Sequence, residues 1–421
     1  MSIHADLSLQ VFLRPAGRRS LVRTIGTLAA ALGLAVTMAA GPAKNPEFCA
    51  PGGVPTPEQA ARMAAALLNE PASTQRMAAL LQKIARESNP GRNPFRSTEK
   101  AALTREMLAR TTDPQKIFEL KVELTQQLLN AGRPEEALEE NMDTERRMKE
   151  LNVPEDDLGI LRDLLTARAI CYLRMGEQEN CLLGHNNDSC IFPIQGGGVH
   201  KLQRGSRGAV AVLTELLDRL PGDLRARWLI NIAYMTLGEY PGAVPSKWLL
   251  DPKLFASEYD IKRFPDVAGA MGLDLDDLAG GVVMEDFDND GLLDLMVSSW
   301  GLTDQMHLFH NNGDGTFTDV TERAGLIGET GGLNMIQCDY NNDGFMDVLV
   351  LRGAWLRTEG HYPLSLLRNN GDGTFTDVTE ESGLLSHLKP TQTAVWFDYN
   401  GDGWLDLFVA NESVGRDVNP C

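Results

Sequence analysis

The chain has 421 residues, enough for two or three domains, with 43% hydrophobic and 23% charged residues. That composition excludes a collagen-like, wholly disordered or multi-span membrane protein. The net charge is -19, and residues 266–421 hold 27 acids against 6 bases, while the first 265 hold 31 against 33. All the excess acid lies in the last part of the chain. Such a surface repels nucleic-acid phosphates and anionic lipid and attracts cations, so no nucleic-acid partner is expected.

The first segment reads as an export signal. Arg14, Arg18, Arg19 and Arg23 precede an uncharged stretch from Ile25 to Ala40 that is rich in Ala, Gly, Leu and Thr. A basic start, a short apolar run and small residues near Ala39–Ala43 describe a cleavable signal peptide over 1–43. The run is too short for a membrane span, so no membrane association is expected after cleavage. Arg18-Arg19-Ser20-Leu21-Val22-Arg23 resembles a twin-arginine signal, although Gly17 stands where Ser or Thr is usual. Sec and twin-arginine routes both remain open. Either places the protein in the periplasm or outside the cell.

Residues 44–56 are rich in Pro and Gly and read as a linker. Helical periodicity then begins. Met63, Leu67 and Leu68 share one face, as do Leu80, Leu81 and Ile84. Further helices are expected near 99–110, 114–131, 134–150, 156–175, 206–220 and 223–238. Gly132, Gly176 and Pro221-Gly222 read as stops, and Pro134 as a helix opener. An insert at 177–204 interrupts the pattern. The helical region is expected to span 57–260, as a stacked repeat array or an ordinary bundle.

The insert carries Cys181 and Cys190, with His185 and His200 close by. In an oxidising compartment the two cysteines are the first candidates for a disulfide. A metal site of Cys181, His185, Cys190 and His200, whose spacing matches no standard zinc pattern, and free buried thiols are the alternatives.

The acidic residues 261–421 carry three strings in register. They are Asp286-Phe-Asp288-Asn-Asp290-Gly-Leu292-Leu-Asp294, Asp339-Tyr-Asn341-Asn-Asp343-Gly-Phe345-Met-Asp347 and Asp398-Tyr-Asn400-Gly-Asp402-Gly-Trp404-Leu-Asp406. Each places side-chain oxygens at loop positions one, three, five and nine, with Gly at six. A calcium ion takes about 6 to 8 oxygens. Alternate side chains of a tight loop supply them, and the Gly permits the sharp turn. The carbonyls of Leu292, Phe345 and Trp404 are expected to contribute at position seven. Position twelve is Val297, Val350 or Val409, not the bidentate Glu of an EF-hand, and the flanks are strand-like. About three calcium ions in loops between strands are therefore expected.

NNGDGTFTDVTE occurs at 311–322 and again at 369–380. Asn-Gly and Asp-Gly between strand-like runs signal hairpins, which makes Asp314 and Asp372 turn residues rather than ligands. RFPDVAGAMGL at 263–273 is a looser copy that marks where the array begins.

These strings resemble the FG-GAP/VCBS class of calcium-loop repeats. Their wording is close to the cartilage-acidic-protein-like (ASPIC/UnbV) secreted proteins. ELTQQLLNAGRPEEALEE and RWLINIAYMTLGEYP resemble the tetratricopeptide-type lead-in of bacterial members. The resemblance implies an α+β multidomain chain: a helical array followed by β-propeller blades, each a four-stranded antiparallel sheet with structural calcium. It also implies surfaces that bind proteins or sugars. The sequence provides about two and a half blades where closure takes about 4 to 8. Either the chain is part of a longer product or several chains complete a ring, and an open blade edge invites self-association.

No GxSxG, HExxH or P-loop is present. An exported binding or scaffold protein is expected, not an enzyme. A part of a secreted polysaccharide-active enzyme is the alternative, supported only by analogy of fold.

Overall fold

A computed structural model describes residues 57–150, 158–184, 186, 188–259, 264–275, 277–386 and 388–413. The expected signal peptide and linker lie outside these residues. No described helix is long and apolar enough to cross a membrane. Two helices come first, α1 (Pro57–Leu67) and α2 (Ala72–Glu87). Six more follow: α3 (Ser97–Arg110), α4 (Pro114–Asn130), α5 (Pro134–Glu150), α6 (Leu158–Gly184), α7 (Arg204–Arg219) and α8 (Leu224–Thr236). A single turn, α9 (Ala268–Met271), precedes ten strands.

The chain forms two compact units. One contains α3 to α8, each packed on the next in chain order. Local chemistry sets the boundaries. The Asp113 carboxylate accepts from the Gln115 N–H, and Pro114 opens α4 where its missing donor costs nothing. Gly132, at φ 71°, ends α4 while the Arg133 N–H reaches back to the Leu128 carbonyl. Asp223 caps α8 in the same way. Leu213, Leu216, Leu217 and Ile230 form one fully buried core, and Leu124 and Leu128 another.

One expected stop is not a stop. Helix α6 continues through Gly176 to Gly184, so the first part of the expected insert at 177–204 is helical. Gly176 is small for packing: a Cβ there would lie 3.2 Å from the His200 Nδ1, and Gly205 of α7 lies against the Gly176 backbone. A glycine after an amphipathic run reads as a terminus, yet it also lets two helices approach closely.

The second unit holds α1, α2 and the sheets. Sequence patterning groups 57–96 with the later helices, but these residues cluster with the strands instead. Met77, Ala78, Leu81 and Ala85 form the buried face of α2. The Thr74 hydroxyl, fully buried, accepts from the Asp377 N–H at 3.2 Å. Phe95 lies against Trp300 with centroids 3.9 Å apart.

Sheet one has the order β1 (Ala279–Glu285), β2 (Asp294–Ser299), β3 (His307–Asn311), β4 (Phe317–Asp319). Sheet two repeats it with β5 (Asn334–Cys338), β6 (Asp347–Leu351), β7 (Ser365–Asn369) and β8 (Phe375–Asp377). Sheet three pairs β9 (Thr391–Phe397) with β10 (Asp406–Asn411). Every pairing is antiparallel. The first strands of neighbouring sheets lie side by side, and Gly281 makes this possible: a Cβ there would stand 2.7 Å from the Met335 nitrogen. Val283, Phe287 and Met296 of sheet one pack against Met335, Val348, Val350 and Phe375 of sheet two. Ile336, Tyr340 and Leu349 of sheet two pack in turn against Ala394, Trp396 and Leu407 of sheet three.

Candidate metal-binding loops

Each acidic string joins the first strand of its sheet to the second. Within each loop the backbone turns inward on its own carboxylates. In the first, the Asp290 N–H donates to Asp286 Oδ1 (3.0 Å), the Gly291 N–H to Asp286 Oδ2 (2.9 Å), and the Leu292 N–H to Asp290 Oδ1 (2.8 Å). The second repeats this with Asp343 and Gly344 on Asp339, and Phe345 on Asp343. The third does so with Asp402 and Gly403 on Asp398, and Trp404 on Asp402. The position-three oxygens of Asp288, Asn341 and Asn400 also accept from the position-five N–H. Gly291, Gly344 and Gly403 sit at φ 88° to 90°, the left-handed region that favours glycine.

Position nine differs from the others. Asp294 and Asp347 are buried, at 2% and 1% exposure. Asp347 accepts from the Tyr340 N–H on one oxygen and the Asn369 N–H on the other, and Asp294 does the same with Phe287 and Asn311. Each pins its loop to the third strand of its sheet. Burial pushes the Asp347 carboxyl up to about 6 and raises Asp294 as well. Asp398, held by the N–H groups of Gly403, Gly401 and Asp402, sits below the usual carboxylate range. Asp406 accepts from the Tyr399 N–H.

The donor set fits a hard divalent cation. Carboxylate oxygens of Asp286, Asp288 and Asp290 lie within 4.8 Å of one another. In the other loops Asn replaces Asp at position three, which keeps an oxygen and removes one charge. Side chains at positions one, three and five would hold the ion, with the position-nine aspartate behind them, buried in the first two loops and exposed in the third. For calcium the chemistry supplied would be structural: the cation's charge would offset the repulsion among the oxygens gathered around it.

Several features are not predicted from the strings alone. Asn289 donates to the Gly344 carbonyl of the next loop (3.4 Å), and Asn342 to that of Gly403 (3.2 Å), so successive loops are tied. His310 Nδ1 lies 3.3 Å from Asp288 and 3.2 Å from Asp294. Alignment of the two hairpins would have found it, because Arg368 occupies the same place in the second. Asp314 and Asp372 are engaged by their own turns, accepting from the N–H and hydroxyl of Thr316 and Thr374.

The insert is a second cluster, in the helical unit. Cys181 and Cys190 are thiols here, not the expected disulfide. They are nonetheless neighbours: contact with the Cys190 thiol, with burial, raises the Cys181 pKa. His200 is buried, with Nδ1 3.1 Å from the Ser206 hydroxyl, and burial lowers its pKa. His185 lies outside the described residues.

Comparison with known proteins agrees with this geometry. An FG-GAP-like repeat model matches residues 286–350 and 352–409. Cartilage acidic protein 1 of Homo sapiens is 33% identical over 106 residues, covering 25% of this chain and 15% of that protein. The Mus musculus protein is 26% identical over 197 residues, 46% of this chain and 28% of its own length. The Xenopus tropicalis protein is 32% identical over 106 residues. The chain thus spans less than a third of these relatives. It carries FG-GAP-like repeats of the cartilage acidic protein type.

Proposed function

We propose that this is an exported, calcium-stabilised repeat protein that serves as a binding or scaffold module for a protein or glycan. Calcium in the three loops is structural, and the sheets are blades of the propeller type. The observation that carries this reading is the repetition of one inward-turned hydrogen-bond frame in all three loops, with the carboxylate oxygens of Asp286, Asp288 and Asp290 gathered within 4.8 Å of one another in the first. A turn alone needs no such gathering, because Asn-Gly or Asp-Gly suffices. The acidic surface also favours a cation over an anionic partner. The helical region would add a second interaction surface of the repeat type.

Extracellular calcium modules bind at about 10⁻⁴ to 10⁻³ M. At millimolar calcium, each site would add about 0.4 to 1.4 kcal/mol by mass action. The test is calcium binding by Asp288→Ala and Asp343→Ala. Each is expected to lose one ion of the wild-type complement. Unchanged stoichiometry in both variants would remove the loops from the reading.

A further inference from the structure

The first loop differs from the other two in its donors, and a neighbouring strand widens the difference. Position three is Asp288 in the first loop but Asn341 and Asn400 in the others, so a charged oxygen stands there once among the three. Strand β3 then brings a nitrogen to it. The Asn311 N–H donates to Asp294 Oδ1 at 2.8 Å, which fixes β3 against the loop. His310, one residue earlier, sets its Nδ1 3.2 Å from that same oxygen and 3.3 Å from Asp288 Oδ2. Ligand atoms of Asp288, Asp294 and His310 all lie within 4.8 Å of one another. In sheet two the corresponding residue is Arg368, which precedes Asn369 as His310 precedes Asn311. A guanidinium donates only and cannot ligate a cation.

The distances suit an ion held between these groups better than a hydrogen bond. Nδ1 carries one hydrogen or one lone pair, so it serves one carboxylate well, not two. His307, on the same strand, forms such a single pair, with Nδ1 2.9 Å from Asp319 Oδ2. His310 stands farther than this from both of its carboxylates. Zinc takes a histidine nitrogen at about 2.0–2.1 Å and a carboxylate oxygen at about 2.0–2.2 Å. Two ligands at a tetrahedral angle on such bonds are about 3.3 Å apart, close to both separations of His310. The donor types point the same way. Calcium takes oxygen, whereas an imidazole nitrogen favours zinc and its neighbours. Asp294 is buried and His310 half-buried, so two of the three donors are held in place by the sheet itself.

We propose that Asp288, Asp294 and His310 form a zinc site in the first loop, with water completing the shell. It goes beyond the calcium reading, with which it shares Asp288. The second loop, with Asn341 and Arg368 in the corresponding places, lacks it.

Metal binding to the full chain tests it. Zn²⁺ is counted by equilibrium dialysis and elemental analysis, and Co²⁺ serves as a coloured stand-in. Wild type is expected to hold one more zinc ion than His310→Arg, and to give visible cobalt absorption that this variant loses. His310→Arg installs the residue that sheet two already carries at this place, so the fold should accept it, and circular dichroism checks that it does. His310→Ala, which adds no cation, is expected to lose the same zinc ion while keeping the wild-type number of calcium ions. Equal zinc stoichiometry in wild type and both variants would overturn the proposal. So would cobalt absorption of thiolate character that both variants retain, because it would place the ion at Cys181 and Cys190. Calcium counted on the same samples keeps the two readings apart: a wild type that binds zinc through His310 but no calcium would uphold this site and remove the calcium reading.

Discussion

Asp343 and Asp347 belong to one loop but have different physical roles, and their variants separate them. Asp343 is exposed, and water can replace its loop hydrogen bonds. Asp343→Ala is therefore expected to lower the melting temperature in millimolar calcium and to change it little in chelator. Asp347 is buried with both oxygens on backbone N–H groups. Its removal leaves two buried donors unpaired, at about 1 to 3 kcal/mol each, so Asp347→Ala is expected to destabilise equally with and without calcium. Paired melts in calcium and chelator check both. A second residue-scale effect lies away from the loops. Arg352 pairs with Glu329 at 3.1 Å, and the Ser365 hydroxyl bridges both groups, all deeply buried. Glu329 also faces Asp377, which accepts from the Thr379 N–H. Burial, then the Asp377 charge, pushes Glu329 up to about 8 and burial raises Asp377 too. The folded chain thus holds a proton that the unfolded chain releases above the ordinary value of 4.5. Stability from this site falls as pH climbs from that value through about 8, the reverse of the usual carboxylate trend. Glu329→Gln should remove this slope: the melting difference between variant and wild type is expected to shift in the variant's favour from about pH 5 to about pH 8 and to level off above. A difference constant across that range would contradict the shared proton.

At the level of elements, the join between α2 and the sheets tests which interactions matter. Arg62–Glu322 and Arg76–Glu380 are exposed ion pairs at 2.8 and 2.7 Å. Exposed pairs contribute about 0 to 1 kcal/mol. Met77 is 4% exposed, and truncating a buried Met to Ala costs about 2 to 5 kcal/mol. Urea unfolding is expected to show a large loss for Met77→Ala and almost none for Arg76→Ala. The reverse order would mean that charge, not burial, joins the helix to the sheets. This join also marks what the sequence could and could not reveal. The Leu and Met stripe of residues 57–87 announces a buried face, but periodicity does not say against what. Some helix limits were legible, as at Gly132 and Pro134, while the Asp113 cap was not singled out. Gly176 was misread because a stop and a close crossing use the same residue. For Cys181 and Cys190 proximity was legible, while the bond state depends on the redox environment rather than spacing. The three loops were the clearest feature, because their residue types recur at fixed positions. The links from Asn289 and Asn342 to the following loops were not, because they depend on how neighbouring sheets stack.

At the scale of the whole molecule, those links couple the loops. Ordering one loop fixes an acceptor for the asparagine of the loop before it, so binding at successive sites should reinforce. The stacking of the first strands has its own requirement at Gly281. Gly281→Val would force a side chain against the Met335 nitrogen and is expected to lower the melting temperature in calcium and chelator alike. The most direct single measurement is a calcium titration of the full chain by isothermal calorimetry, with the folded state checked in chelator by circular dichroism. Saturable binding of about three ions at micromolar to millimolar affinity is expected, in the range of extracellular calcium modules or tighter. No heat and no bound calcium, from a chain that remains folded, would contradict the assignment of these loops as metal sites.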